Sequence, residues 1–333
     1  MARDHLLGWV PQRGDPCRGR WKSPRPQIDP TIPPMAQNGA ADLQRWRDPP
    51  VNRMLSPGTL LSGDHLNKVW RGMTQTPMST EPGVPMIIKW VEKKERLAAE
   101  LACSLAARAL RLQVPTGVLV LAQKDQLHGL PKRVVDSQQD VVLCFGSEFQ
   151  WPDDTLAKPT DTDAAREWVW NRLCQSPQGT AGGVWDELVA NEDRHTENVV
   201  FDGVRWWLID HEKTLTPLNK LMMKFADTAI RQTVISHRAP GNPIAAEMVS
   251  RRPHDHKMEA LPPALVNLRV RLQWLADEAR KWQTGLGDVD TVFMMTEIYL
   301  RSIDIRLPAL SMHLNDRLAK PAPPALWSQA SAP

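Results

Sequence analysis

Asn191-Glu192-Asp193-Arg194-His195-Thr196-Glu197-Asn198-Val199-Val200-Phe201-Asp202-Gly203-Val204-Arg205-Trp206-Trp207-Leu208-Ile209-Asp210-His211 is the stretch on which the reading of this chain turns. A loop of charged and amide residues leads into the apolar run Val199 to Phe201. Asp202-Gly203 is a hairpin turn signal, and Arg205 to Ile209 returns the chain as a second predicted strand. Antiparallel pairing would finish Asn198 and Asp210 side by side, with Asp193 in the loop that feeds the same end. An amide oxygen beside a carboxylate makes a hard-oxygen site suited to Mg²⁺. A further carboxylate nearby can orient or deprotonate an attacking hydroxyl, and phosphoryl transfer asks for little else than such positioning and charge neutralisation. The plainer alternative is a hairpin with polar ends, in which Asp193 caps and Asp210 opens a turn.

Upstream context bears on that choice. Met86-Ile87-Ile88-Lys89 sets a lysine at the end of a β-branched strand, where an ammonium is costly without a partner. Glu100 follows eleven residues later in a predicted helix. A strand lysine paired with a glutamate of the next helix presents an ammonium to nucleotide phosphates. Either residue alone is commonplace.

Working outward, residues 1 to about 55 read as a Pro-rich, disordered arm. Ten of the chain's 29 prolines fall at or before Pro57, and proline fixes φ and removes a backbone donor. From there Gly58 to Ser62, Lys68 to Met73 and Val84 to Val91 read as strands. Glu92 to Leu112 has helical spacing, with Leu97, Leu101 and Leu105 on one face. Val118 to Leu121 returns to strand, and Val134-Val135 with Val141 to Phe145 suggests a hairpin. Helices are predicted from a cap at Thr160 or Asp161 through Leu173, over Val184 to Ala190, and over Pro263 to Gln283 and Val289 to Arg306. The expected architecture is α+β and two-lobed. It has a β-rich N-lobe with one helix over 56–149, a mostly helical C-lobe over 150–320, and a disordered tail over 321–333.

Composition excludes several classes. A net charge of +3, with basic residues interspersed among acids, makes direct nucleic-acid binding unexpected. The four cysteines form no CxxC pair, so neither a zinc motif nor a disulfide framework is implied. Cys103 and Cys144 lie in apolar runs and read as buried thiols. No stretch approaches the roughly 18 apolar residues of a membrane helix, and a cytoplasmic setting is the expectation. His254-Asp255-His256 reads as an exposed loop, and Gly285-Leu286-Gly287 follows a helix and reads as its C-cap.

Three segments in order resemble the HipA-like kinases. These are Met86-Ile-Ile-Lys89, the helix from Glu100 to its Leu112-Gln-Val-Pro115 turn, and Asp193 to Asn198 followed by Ile209-Asp210-His211. The Asp-Arg-His order is also similar to phosphoinositide-type kinases. The resemblance spans roughly Gly58 to Leu215. It implies a protein-kinase-like fold and an ATP- and Mg²⁺-dependent enzyme that phosphorylates a hydroxyl of a protein or small molecule. Lys89 would bind phosphates and Glu100 would hold it. Asp193 would be the catalytic aspartate, with Asn198 and Asp210 as Mg²⁺ ligands. The Val141 to Phe149 segment, Phe145 included, would touch adenine, mainly through its backbone. His195 either approaches the γ-phosphate or makes a structural hydrogen bond. No GxGxxG loop is present. Ser62-Gly63 is the best phosphate-covering candidate, and Ser62 a candidate for self-phosphorylation. A nucleotide-binding regulator without turnover and a lipid kinase are the alternatives, and a regulatory protein partner is compatible with any of them.

Overall fold

The computed structural model describes residues 47–61, 68–77, 82–150, 163–238, 241–242, 244 and 264–319, all within the compact unit Trp46–Pro333. Ser62, Gly63 and the His254 to His256 run lie outside the described residues. Strands β1 (Val51–Met54), β2 (Thr59–Leu60), β3 (Val69–Gln75) and β4 (Val84–Lys89) precede helix α1 (Lys94–Ala109). Then come β5 (Gly117–Gln123), a helical turn α2 (Lys132–Val135) and β6 (Val141–Glu148). The rest is helical apart from one hairpin. It comprises α3 (Asp163–Gln175), α4 (Pro177–Val189), β7 (Val199–Phe201), β8 (Trp206–Leu208), α5 (Asn219–Met222), α6 (Thr228–Ser236), α7 (Ala264–Ala279), α8 (Gly287–Arg306) and α9 (Leu310–Ala319).

The expected sheet closes on itself. Neighbours run β1, β5, β6, β4 and β3, and β3 pairs back onto β1 through Arg53↔Gln75 and Met54↔Thr74, making a five-stranded barrel. The β1–β5 pairing is parallel, and the others in the ring are antiparallel. β2 adds to the opposite end of β3. Alternation sends Met54, Trp70, Met86, Ile88, Val120 and Cys144 into one apolar core. Trp70 is wholly buried there and satisfies its indole N–H on the His128 carbonyl at 2.9 Å.

Closure explains the first correction. Val51–Met54 falls within the segment expected to be a disordered arm, yet it is a strand. Its partners are about 20 and 70 residues away in sequence, so neither local propensity nor period reveals it. Val134-Val135 is corrected as well. Pro131 holds the N-cap of a helical turn there, and Val135 stays exposed rather than pairing. The hairpin turn is longer than two residues. Phe201 pairs with Trp206, and the Asp202 carboxylate accepts from the N–H groups of Val204 and Arg205. The helix expected over Val184 to Ala190 starts earlier, at Pro177, because Ser176 caps it by accepting from Gly179 N–H.

Helix α1 is the element on which the barrel and the helices meet. It packs against β5 and β6 on one side and α7 and α8 on the other. Its alanines and leucines are buried nearly all round, as a helix enclosed by other elements requires. Ser104 staples it to the barrel, donating to Pro115 O at 2.8 Å and accepting from Gly117 N–H at 2.6 Å. At Gly117 a side chain has no room, since a Cβ would stand 2.6 Å from the Phe145 ring and 2.8 Å from Ser104 Cβ. Gly117→Val should therefore destabilise the fold by about 1–3 kcal/mol through overpacking, read as a lowered urea midpoint. An unchanged midpoint would mean that α1 and β5 separate freely.

Candidate active site

Lys89 ends β4 and points to where α1 and the segment after β8 converge. Its ammonium lies 3.3 Å from Glu100 Oε1, 2.8 Å from Asp210 Oδ1 and 2.9 Å from Glu212 Oε2. Glu100 uses both oxygens, because its Oε2 accepts the His211 backbone N–H at 2.9 Å. Asp210 adopts a left-handed backbone with φ of +58°, a conformation Asp tolerates better than most residues. That turn lets the Asp210 carboxylate and the His211 N–H both face the Lys89–Glu100 pair. Arg96, one helical turn before Glu100, holds the other Glu212 oxygen at 3.2 Å.

Three carboxylates thus surround one ammonium. Burial opposes a charge on Lys89, but Glu100, Asp210 and Glu212 outweigh it and raise the lysine above its ordinary value. Burial raises Glu100, Lys89 pulls it back, and Asp210 raises it again, leaving it pushed up to about 7. Asp210 moves the other way. Burial raises it, yet the Lys89 charge and hydrogen bond hold it below the usual carboxylate range.

Asp193 approaches from the helical side. Ala190 ends α4 with φ of +48°, and Asn191 Oδ1 accepts the Asp193 N–H at 3.1 Å. Asn198 Nδ2 donates to the Asp193 carbonyl at 2.7 Å, closing the loop through the 3₁₀ turn Thr196–Asn198. The Asp193 side chain stays about one-third exposed and meets Lys213 Nζ at 2.8 Å.

Arg194 lies behind this loop, wholly buried. It makes a two-bond pair with Asp186 of α4 at 3.0 and 3.1 Å. It also donates to the carbonyls of Asn198 at 2.7 Å and Ile209 at 2.5 Å. His211 Nε2 accepts from Trp185 Nε1 at 3.0 Å, with Arg194 Nη2 also 3.0 Å away. Both neighbours are donors, so Nε2 is bare and the proton sits on Nδ1. Burial first, then the Arg194 charge, push His211 well below its ordinary value, and it stays neutral.

The structure brings Lys89, Glu100 and Asp210 into contact and fixes Asn198 one residue from where the spacing put it. Asn198 pairs with Ile209, whose N–H it accepts at 3.1 Å, rather than standing opposite Asp210. The carboxylates beside Asp210 are Glu100 and Glu212, and these three can offer one oxygen each within 4.8 Å. His195 is half-buried, and its carbonyl accepts the Asn198 N–H. Phe145 does not suit a backbone contact to adenine. It pairs with Lys89 on one side and Leu119 on the other, and it is buried with its ring against Gly117. β6 ends at Glu148, and the Phe149 N–H still donates to the Pro85 carbonyl at 3.1 Å. Sequence reasoning missed Glu212, Arg96, Lys213 and Asp186. Only Arg96 had a signal, its i,i+4 spacing to Glu100.

No family model and no curated protein matches the chain. Among solved structures it is similar to a Helicobacter pylori proinflammatory kinase, CtkA. The identity is 11% and the TM-score 0.44, over 79% of this chain and 96% of that one. It is also similar to the MAP kinase LmaMPK10 from Leishmania major, with 10% identity and a TM-score of 0.29, over 86% of this chain and 90% of that one. At these scores the likenesses carry no conclusion. Among the described residues no helix is long and apolar enough to cross a membrane.

Arg194→Met leaves Asp186 buried without its cation and should destabilise the chain by about 3–5 kcal/mol. Asp186→Leu combined with Arg194→Met should recover part of that in urea unfolding. A single variant as stable as the parent would contradict the clamp. The raised Glu100 has a further consequence. Its folded value of about 7 lies above its ordinary 4.5, so the folded chain binds that proton more tightly. The stability this contributes is full below pH 4.5 and is lost as pH rises through about 7. With chelator present, the parent should lose stability relative to Glu100→Gln across that window. A pH-independent gap between the two would remove the titration.

Proposed function

We propose that the chain is an ATP- and Mg²⁺-dependent phosphotransferase of the HipA-like kind, acting on a hydroxyl of a protein or small molecule. The observation that carries this reading is the convergence of Lys89, Glu100 and Asp210, the last 121 positions from the lysine. It joins a barrel strand, the helix beside it and the end of the β7–β8 hairpin at one point. A kinase-like fold with a nucleotide between sheet and helices is the arrangement this supports.

In this reading Lys89 leaves Asp210 for the α- and β-phosphates and stays anchored by Glu100. The adenine contact expected of the Val141 to Phe149 segment falls at its C-terminal end, where β6 leaves the barrel. Hard carboxylate oxygens within 4.8 Å of one another fit Mg²⁺. Asp210 with Glu212 beside it, and Asn198 from the turn before β7, are the residues that would hold it. When bound, Mg²⁺ neutralises phosphate charge. Asp193 receives the proton of the acceptor hydroxyl as that oxygen bonds to the γ-phosphorus. The bond from phosphorus to the β–γ bridging oxygen breaks, and its electron pair leaves with ADP. His195 flanks this centre. Arg194 does not touch it, because its donors serve Asp186 and the backbone.

A regulator that binds nucleotide without turnover is the second reading, favoured by the three carboxylates that hold Lys89. Thermal unfolding separates the possibilities. ATP with Mg²⁺ at about a hundred times its dissociation constant should add roughly 2.7 kcal/mol to the parent. Asp210→Ala should lose the Mg²⁺-dependent part, and Asp193→Asn should keep it while ADP release falls. Absence of any nucleotide-dependent shift in the parent would overturn the proposal. Binding with Asp193-independent ADP release would overturn the role of Asp193.

A further inference from the structure

We propose that Lys213 is a catalytic residue, the cation that meets the transferred phosphoryl group. This rests on the phosphotransferase reading above and names a residue that neither the sequence motifs nor the resemblance assigns. A phosphoryl group in flight spreads negative charge over its three outer oxygens. A cation beside the entering hydroxyl can face those oxygens, and in the reading above Asp193 marks that side.

The cations near Asp193 are few. Arg194 follows it in sequence, but its guanidinium is enclosed and its donors are taken by Asp186, Asn198 O, Ile209 O and the His211 ring. Lys89 is held among Glu100, Asp210 and Glu212. Lys213 alone among the described residues forms an ion pair with the Asp193 carboxylate, at 2.8 Å, with about one-third of each side chain open to solvent.

The backbone that carries Lys213 is pinned on both flanks. His211 is fixed by its N–H on Glu100 and its ring on Trp185. Thr214 N–H returns to His211 O at 3.1 Å, and Thr214 bridges to Asn191, two residues before Asp193. The Thr214 hydroxyl reaches Cys103 Sγ of α1 at 3.3 Å in the buried interior. Leu215 closes the turn with φ of +49°. Lys213 is therefore the outward-facing residue of a turn fastened to the Asp193 loop and to the metal-side segment. An ordinary surface ion pair would not need that fastening.

In the transfer step the entering hydroxyl displaces the Lys213 ammonium from Asp193 Oδ1. The ammonium swings onto a non-bridging γ-oxygen as the phosphorus passes from ADP to the acceptor oxygen. The hydroxyl proton goes to Asp193, and Lys213 keeps its own protons throughout.

The test uses the full chain and a planar phosphoryl mimic, so the unidentified acceptor is not needed. Thermal unfolding is followed with Mg²⁺ and ADP, with and without aluminium fluoride, for the parent and for Lys213→Ala, Lys213→Met and Lys213→Arg. Mg²⁺–ADP affinity should be unchanged by all three substitutions. Aluminium fluoride should tighten ADP binding in the parent on the order of 100-fold. Lys213→Ala and Lys213→Met should lose that gain, and Lys213→Arg should recover part of it. If Lys213→Ala keeps the gain, or if the parent binds Mg²⁺–ADP and shows no gain, the role of Lys213 is overturned while the nucleotide site stands. If the parent does not bind Mg²⁺–ADP at all, the phosphotransferase reading falls and takes this role with it.

Discussion

A single buried ion pair, Arg194 with Asp186, organises the helical side of this protein. A guanidinium fully removed from water is tolerable only when its donors are met. Here they are met by a carboxylate of α4, by the carbonyls of Asn198 and Ile209 at the open end of the hairpin, and by the His211 ring. The partners belong to three segments, so satisfying one cation fixes α4, the Asp193 loop and the chain after β8 relative to one another. The His211 ring stays neutral because a second proton on Nε2 would face two donors. The residues with candidate chemistry, Asp193 and Asp210, are chain neighbours of the residues this clamp holds.

Helix α1 carries the same logic to the barrel. Its small residues let it sit close to β5, as the Gly117 contact shows. Glu100 fastens its middle and Ser104 its second half. Glu100 bridges Lys89 of the barrel and the His211 backbone with its two oxygens, so the site spans barrel and helices through one side chain. The electrostatics there are unbalanced. Glu100, Asp210 and Glu212 face Lys89 and Arg96 at short range, and burial strengthens every term. Burial leads the rise of Glu100, with Asp210 adding to it, while the Lys89 charge and hydrogen bond outweigh burial at Asp210 and hold it down. The excess of carboxylate gives the site an appetite for further positive charge.

Much of the site is legible in the sequence because its residues lie at element ends that apolar patterns define. Lys89 closes a β-branched run, Glu100 lies on a helix with clear period, and Asp210 follows a strand. What is not legible is what depends on closure. β1 is hidden because its partners are remote. Phe145 reads as part of a nucleotide-facing edge, but β4 and β5 flank β6 on both sides and leave no edge there. Asn198 stands opposite Ile209, because Asp202 builds a four-residue turn through its own carboxylate, whereas a two-residue turn at Asp202-Gly203 would set Asn198 opposite Trp207. Glu212 and Lys213 carry no pattern, and only the left-handed turn at Asp210 and the pinned Thr214 reveal where they point.

In the proposed enzyme Lys89 exchanges Asp210 for nucleotide phosphates while Glu100 keeps hold of it. A crystal structure of the full chain with Mg²⁺ and a non-hydrolysable ATP analogue tests it most directly. The account predicts the phosphates between Lys89 and Asp210, with the lysine still on Glu100 and the Lys89–Asp210 contact opened. A nucleotide bound elsewhere, with Lys89 still closed on Glu100, Asp210 and Glu212, would contradict it.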